Sequence, residues 1–215
     1  MRHETTKGLY RYWNALRGER LAPRRFEIEP SRIGDFLPET FILERVASDN
    51  YPFRLAGTRL ADRMSFQLRG RNVFDCFAPG DGITVKSRLN SASVQGGVIL
   101  MTLRGATRSG RHQSLEMIVL PLLHMQPTAD RYLGAICPID PQTDENRDLV
   151  TGLEITADEI IWPDGRPHSI VESVDRQVPF LPHIRTARIV RQDRRQFRVY
   201  DGGLGKSPDD HHTKR

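Results

Sequence analysis

Apolar residues recur along this chain with two spacings. Over residues 7–17, Leu9, Trp13 and Leu16 fall at i, i+4 and i+7, which places them on one stripe of a helix that Gly18 ends. A basic, proline-punctuated link follows. Pro30 then opens a short helix with Ile33, Phe36 and Leu37 on one side, and Pro38 stops it. From there the pattern turns to strands. Residues 40–47 and 51–57 are apolar runs separated by Ser48, Asp49 and Asn50, a hairpin signal. Thr58 is suited to cap a short helix over residues 59–66, and residues 72–77 form a short aromatic segment. Asp81 is suited to cap a longer helix to Val94, with Val85, Leu89 and Ala92 on its apolar face. Three more strands are expected over residues 98–107, 111–123 and 130–139. Residues 150–161 read as a strand or a short helix.

Strands on either side of a helical insert, joined by tight turns, predict an α+β fold with antiparallel pairing rather than alternating βαβ units. The organisation expected is an N-terminal helical cap and linker over residues 1–38, a core over 39–139, and an irregular extension over 140–215 ending in a disordered tail. Residues 98–103 and 118–123 are apolar at successive positions, so both faces of the sheet centre require cover. The short helices supply one cover. The other falls to the N-terminal helix through Leu9, Trp13 and Leu16, acting with a second copy of the chain in a homodimer.

Composition narrows the function classes. The 215 residues are 38% hydrophobic and 27% charged, with a net charge of +5 carried almost wholly by arginine. The longest apolar run is strand-sized, so no membrane span is expected, and the N-terminus has no apolar signal core. A cytoplasmic protein is the expectation. Cys76 and Cys137 form no CxxC pair and read as buried thiols. His112, Ser114 and Glu116 share a strand face, but two ligand types on one strand make a polar edge rather than a metal site. Phosphate-binding glycine loops and nucleophile-elbow motifs are absent, so the expectation is a non-enzyme. The basic stretches, 17–25 and 185–198, lack a helix-turn-helix or arginine-interleaved aromatics. Phe197 and Tyr200 come closest, and nucleic-acid binding stays the alternative reading.

The stretches LYRYWNALRGERLAPRR (9–25), IEPSRIGDFLPETFILE (28–44), FRLAGTRL (53–60), LRGRNVFD (68–75), SLEMIVLPLL (114–123) and RYLGAICPI (131–139) occur in an order that resembles the stand-alone PAS-like proteins of alphaproteobacterial type. VYDGG (199–203) is similar to how such chains end. The resemblance implies a PAS-like fold, with a five-stranded antiparallel sheet and short helices on one face. It also implies a sensory or protein-interaction module in bacterial signalling, with a two-component partner and a role in cell-cycle or motility control. Asp62 and Arg63 depart from the family pattern by making the short helix more polar, which counts against a shared small ligand. A PAS cavity here would be lined by Leu55, Phe74, Val85, Leu89, Leu115 and Met117, and the same residues equally suit a closed core. The sequence requires no cofactor and leaves any ligand unidentified.

Overall fold

The computed structural model describes residues 1–139 and 148–168. The described residues all belong to one compact unit. Its centre is a six-stranded antiparallel sheet: β1 (Thr40–Glu44), β2 (Phe53–Ala56), β3 (Val98–Thr107), β4 (His112–Leu122), β5 (Arg131–Pro138) and β6 (Val150–Ile161). The strand order is β2-β1-β5-β4-β3-β6. Three α-helices accompany it: α1 (Glu4–Arg17), α2 (Thr58–Arg63) and α3 (Asp81–Gln95). Short 3-10 helices run over Arg25–Glu27, Pro30–Glu39 and Val73–Cys76.

Five of the strands are those expected, and the α+β class holds. The sixth comes from residues expected in an irregular extension. β6 pairs with β3 from Val98↔Ile161 to Thr107↔Val150, with two register shifts. It is an edge strand. Val150 and Leu153 are buried, while polar and charged residues fill half of the other positions. Glu154 pairs with Arg104 and Asp158 with Arg88, charges of the kind that keep an edge from recruiting another strand. The remaining extension and the 185–198 basic stretch lie outside the described residues.

Helix boundaries move for local reasons. α1 starts a turn earlier than its apolar stripe because His3 caps it, Nδ1 accepting the Thr5 N–H at 3.1 Å. The segment from Pro30 is 3-10 rather than α, kinked at Ile33. Thr58 is the first residue of α2, not its cap; that position belongs to Gly57. A Cβ on Gly57 would lie 2.1 Å from the Leu37 carbonyl oxygen, so only glycine lets the two segments meet. Asp81 likewise lies inside α3, and its carboxylate accepts the Ile155 N–H of β6 at 2.9 Å.

Both faces of the sheet are buried, as the sequence pattern requires. On the inner face Ile99, Met101, Leu103, Leu115, Met117 and Val119 pack with Leu60 of α2 and Val85, Leu89 and Ala92 of α3. On the outer face Val98, Leu100, Ile118, Leu120 and Leu133 pack with Leu9 and Trp13 of α1 and with Ile33. Trp13 is fully buried, and its indole N–H donates to the Pro121 carbonyl at 2.7 Å. Arg17, stacked on the Trp13 ring at 5.8 Å, makes a two-point contact with Asp164 at 2.7 and 3.0 Å. Gly134 lies opposite Phe41, and a Cβ there would stand 2.2 Å from Cζ of that ring.

The outer cover therefore comes from the same chain. Leu9, Trp13 and Leu16, expected at an interface between copies, face the chain's own sheet instead: Leu9 and Trp13 are fully buried and Leu16 is half-buried against them. The two-faced apolar pattern is satisfied without a second subunit. Trp13→Ala removes the largest side chain of this layer and its hydrogen bond. It is expected to lower stability by about 3–5 kcal/mol, measured as a shift in the urea midpoint of the purified chain.

Candidate functional site

The residues expected to line a cavity divide into two groups. Val85, Leu89, Leu115 and Met117 are buried together between the sheet and α3, and Phe74 packs partly buried against them. Aromatic rings occupy the space around them. Tyr51 lies edge-on to Phe74 at 5.5 Å and tilted against Tyr132 at 5.8 Å. Both phenols are engaged: Tyr51 Oη donates to Asn90 Oδ1 at 3.4 Å and Tyr132 Oη to the Leu89 carbonyl at 3.3 Å. Burial pushes both hydroxyls above the usual tyrosine range, so they stay neutral donors. These residues read as a packed core.

Leu55 is the exception and a correction. It is 45% exposed and lines no interior space. The cause is a β-bulge. β1 and β2 pair Ile42↔Leu55 and Leu43↔Phe53, which leaves Arg54 as an extra residue on β2. Strict alternation would turn Phe53 and Leu55 to the same side. The extra residue breaks that alternation, so Phe53 is buried while Arg54 and Leu55 are both exposed.

Beside the bulge lies an open cleft of about 330 Å³. One wall is Arg54, Leu55 and Ala56 of β2, and another is Ala61 of α2. The segment after α2 closes it with Phe66, Gln67, Leu68 and Arg69. That segment is tied to the outer edge of β2: Phe53 N–H donates to the Arg71 carbonyl at 3.0 Å and Gly70 N–H to the Phe53 carbonyl at 2.9 Å. Leu68 belongs to the inner core, and Ala56 and Phe66 pack against it, so the apolar floor continues into the interior. Arg71 stacks on the Phe66 ring at 4.7 Å. Arg54 is paired with Glu44, which Arg131 also contacts at 2.7 Å. The Arg69 side chain makes no ion pair among the described residues.

A second polar cluster lies beneath the N-terminus of α1. Glu39, buried, accepts from Thr5 Oγ1 at 2.7 Å and from the Cys137 thiol at 3.3 Å. Its other oxygen faces Arg59 at 3.4 Å and Arg63 at 3.9 Å, both on α2. Arg63 also donates to the Ile136 carbonyl at 3.2 Å. Glu116, equally buried, accepts from the Thr6 hydroxyl and from the Arg2 and His3 amides at 2.7 and 3.0 Å. Burial alone would raise its carboxyl. The Thr6 hydroxyl, the two amides and the terminal ammonium outweigh that and hold it below the usual range.

His3 Nδ1, Glu39 and Cys137 Sγ lie within 4.8 Å of one another, a spacing a metal ion could bridge. Their chemistry reads otherwise. Nδ1 is taken up by the helix cap, and Glu39 already faces two guanidinium groups. Burial, followed by the Glu39 carboxylate, pushes the Cys137 thiol well up, away from the thiolate that binds metals. Burial likewise pushes Cys76 up to about 12. Both cysteines are buried and free, as expected. His112 and Ser114 are exposed, whereas Glu116 on the same strand lies under α1 and is saturated by it.

Much of the basic 17–25 stretch is structural. Arg17 is buried on Asp164, and Arg20 pairs with Glu27 at 3.0 Å. Neither guanidinium is free for phosphate. Arg185–198, Phe197 and Tyr200 lie outside the described residues. Among the described residues no helix is long and apolar enough to cross a membrane.

A family model described as PAS domain matches residues 1–137. A search of curated proteins finds no match. Among solved structures, the chain is similar to an RNA-binding light-oxygen-voltage receptor at 13% identity and a TM-score of 0.42, covering 58% of this chain but 38% of that one. It is similar to the PAS domain of an HTR-like protein from Haloarcula marismortui at 17% identity and a TM-score of 0.38, covering 50% of this chain and 95% of that one. A Rhodobacter sphaeroides LOV protein shows 12% identity and a TM-score of 0.40, covering 50% and 64%.

The lowered Glu116 carboxyl has a pH consequence. Its contribution to stability is complete above the unfolded carboxyl's value of roughly 4.3 and is lost as pH falls through the lower folded value. Glu116→Gln is expected to cost about 1–3 kcal/mol at pH 7 and to flatten the acid limb of the stability curve, read from urea denaturation between pH 3 and pH 7.

Proposed function

The chain belongs to the PAS domain family, and from that premise we propose that it is a regulatory module that acts by binding a signalling protein rather than by catalysis. The observation that carries this reading is the filled interior. Tyr51, Phe74 and Tyr132 close the space between sheet and α3 with Val85, Leu89, Leu115 and Met117. Recognition then falls to the surface. The carboxylates buried among the described residues, Glu39 and Glu116, are each consumed by hydrogen bonds, to the start of α1 and, for Glu39, also to Cys137 of β5. A general acid or base needs access to substrate, and neither carboxylate has it.

A two-component protein in the cytoplasm is the partner this reading expects, with the bacterial cell cycle or motility as the controlled process. Three large apolar side chains stand out on the surface, Phe26 at 74%, Ile83 at 77% and Met125 at 80% exposure. Phe26 and Met125 lie on neighbouring segments, joined where Arg24 bridges Leu123. Exposed aromatic and methionine side chains are enriched in interface cores. A homodimer would use such a surface rather than the buried stripe of α1.

The tagged full-length chain, captured from its native cells, is expected to retain a histidine kinase or response regulator in near-stoichiometric amount. A double variant, Phe26→Asp with Met125→Asp, is expected to reduce that retention severalfold at unchanged thermal stability. Enrichment of no signalling protein over a tagged control would overturn the reading.

A further inference from the structure

We propose that the cleft between β2 and α2 is a binding site for a small amphipathic carboxylate, an acyl chain with an anionic head. Its place in the fold is distinct from the PAS interior, which side chains fill, and the inference does not depend on the identity of any protein partner.

Three observations converge. The first is the bulge. A leucine in a four-residue strand is turned outward only because Arg54 is inserted beside it, and bulges recur next to functional sites, where they re-aim side chains. The second is the floor. Leu55, Ala61, Phe66 and Leu68 present an apolar surface in a cleft of about 330 Å³, within the range of small-molecule sites, which begins at about 300 Å³. The third is the charge. Arg54 is neutralised by Glu44, but Arg69 stands at the cleft with no acidic partner among the described residues, and Arg71 stacks on the Phe66 ring. Arginine pairs with a carboxylate through two parallel N–H donors, so an anionic head is the group Arg69 fits.

A cationic amphiphile would place like charges together. A bare anion such as acetate would leave the apolar floor wet. Only a ligand carrying both parts uses both features of the cleft.

The test is titration of the purified, isotope-labelled full chain with decanoate below its micelle concentration, followed by amide shifts and calorimetry. Saturable binding is expected, with shifts concentrated at residues 54–69. Arg69→Glu and Leu55→Asp alter exposed side chains, so both should keep the wild-type melting curve. Each is expected to weaken binding by at least about tenfold, the cost of one charge-assisted contact or of a charge set on the apolar floor. Arg69→Lys keeps the charge but loses the two-donor fork, so its affinity should fall between those of the wild type and Arg69→Glu. Acetate and decyltrimethylammonium should bind at least about tenfold more weakly than decanoate, for the same reasons. Three results would overturn the proposal: no saturable decanoate binding, equal binding of the quaternary ammonium, or co-flotation with phosphatidylglycerol vesicles without binding of monomeric decanoate. Because no partner protein is present, failure here leaves the capture experiment unaffected, and the reverse holds.

Discussion

A sheet that is apolar on both faces has to be covered twice, and the rest of this structure follows from how the second cover is held. The inner face is closed by α2, α3 and the Val73–Cys76 turn, all inserted between strands and tethered at both ends. The outer face is closed by α1, which precedes the sheet and is tethered at one end. Its apolar stripe supplies burial. Its position is fixed by polar contacts: Thr5 to Glu39, Thr6 and two backbone amides to Glu116 at its start, and Arg17 to Asp164 at its end. Two carboxylates buried beneath a helix N-terminus would be costly alone. They are tolerated because every oxygen finds donors and because the helix dipole favours negative charge there. The cover is therefore specified, not merely greasy. Removing a donor costs more than the contact is worth, since a buried carboxylate is left behind.

Glu39 gives this arrangement a second consequence. The same carboxyl group touches α1 through Thr5, β5 through Cys137, and α2 through Arg59 and Arg63. α2 is also one wall of the cleft, through Ala61. One face of a short helix thus lines the cleft, while another holds the counter-charge of the group that seats the outer cover. A displacement of α2 would alter the solvation and pairing of Glu39, and with it the seating of α1. Such a chain of contacts is a physical route between sites. It becomes a signal only if the two ends prefer different arrangements.

The sequence carried the layers well and the irregularities poorly. Apolar spacing alone revealed α1, α3 and five strands, and the unbroken runs at 98–103 and 118–123 revealed a sheet buried on both sides. Those signals are strong because burial acts on every residue of an element. What covers the outer face was harder to read. A helix stripe of Leu9, Trp13 and Leu16 looks the same whether it packs on its own sheet or on another copy. β6 was ambiguous because an edge strand buries little: only Val150 and Leu153 are hidden, which leaves no clean period. Leu55 was misplaced because a one-residue bulge inverts the alternation and leaves no mark in composition. Glu39 and Glu116 were invisible as a pair, since their common partner is a helix N-terminus distant in the chain.

The two edges of the sheet are finished differently, and this is where the candidate site originates. The β6 edge is a long strand kept solitary by polar residues and by ion pairs to β3 and α3. The β2 edge is short, bulged, and partly capped by backbone contacts from the segment after α2. Capping an edge with a loop rather than a strand leaves a gap, because a loop cannot match a pleated surface residue for residue. Here the gap is floored by side chains continuous with the inner core and rimmed by a guanidinium with no ion pair among the described residues. The Asp62–Arg63 departure from the family pattern belongs to the same place. Arg63 turns inward to Glu39 and the Ile136 carbonyl while Asp62 stays exposed. The Arg63 charge, which the sequence counts against a shared small ligand, is spent on anchoring α2, one wall of the cleft.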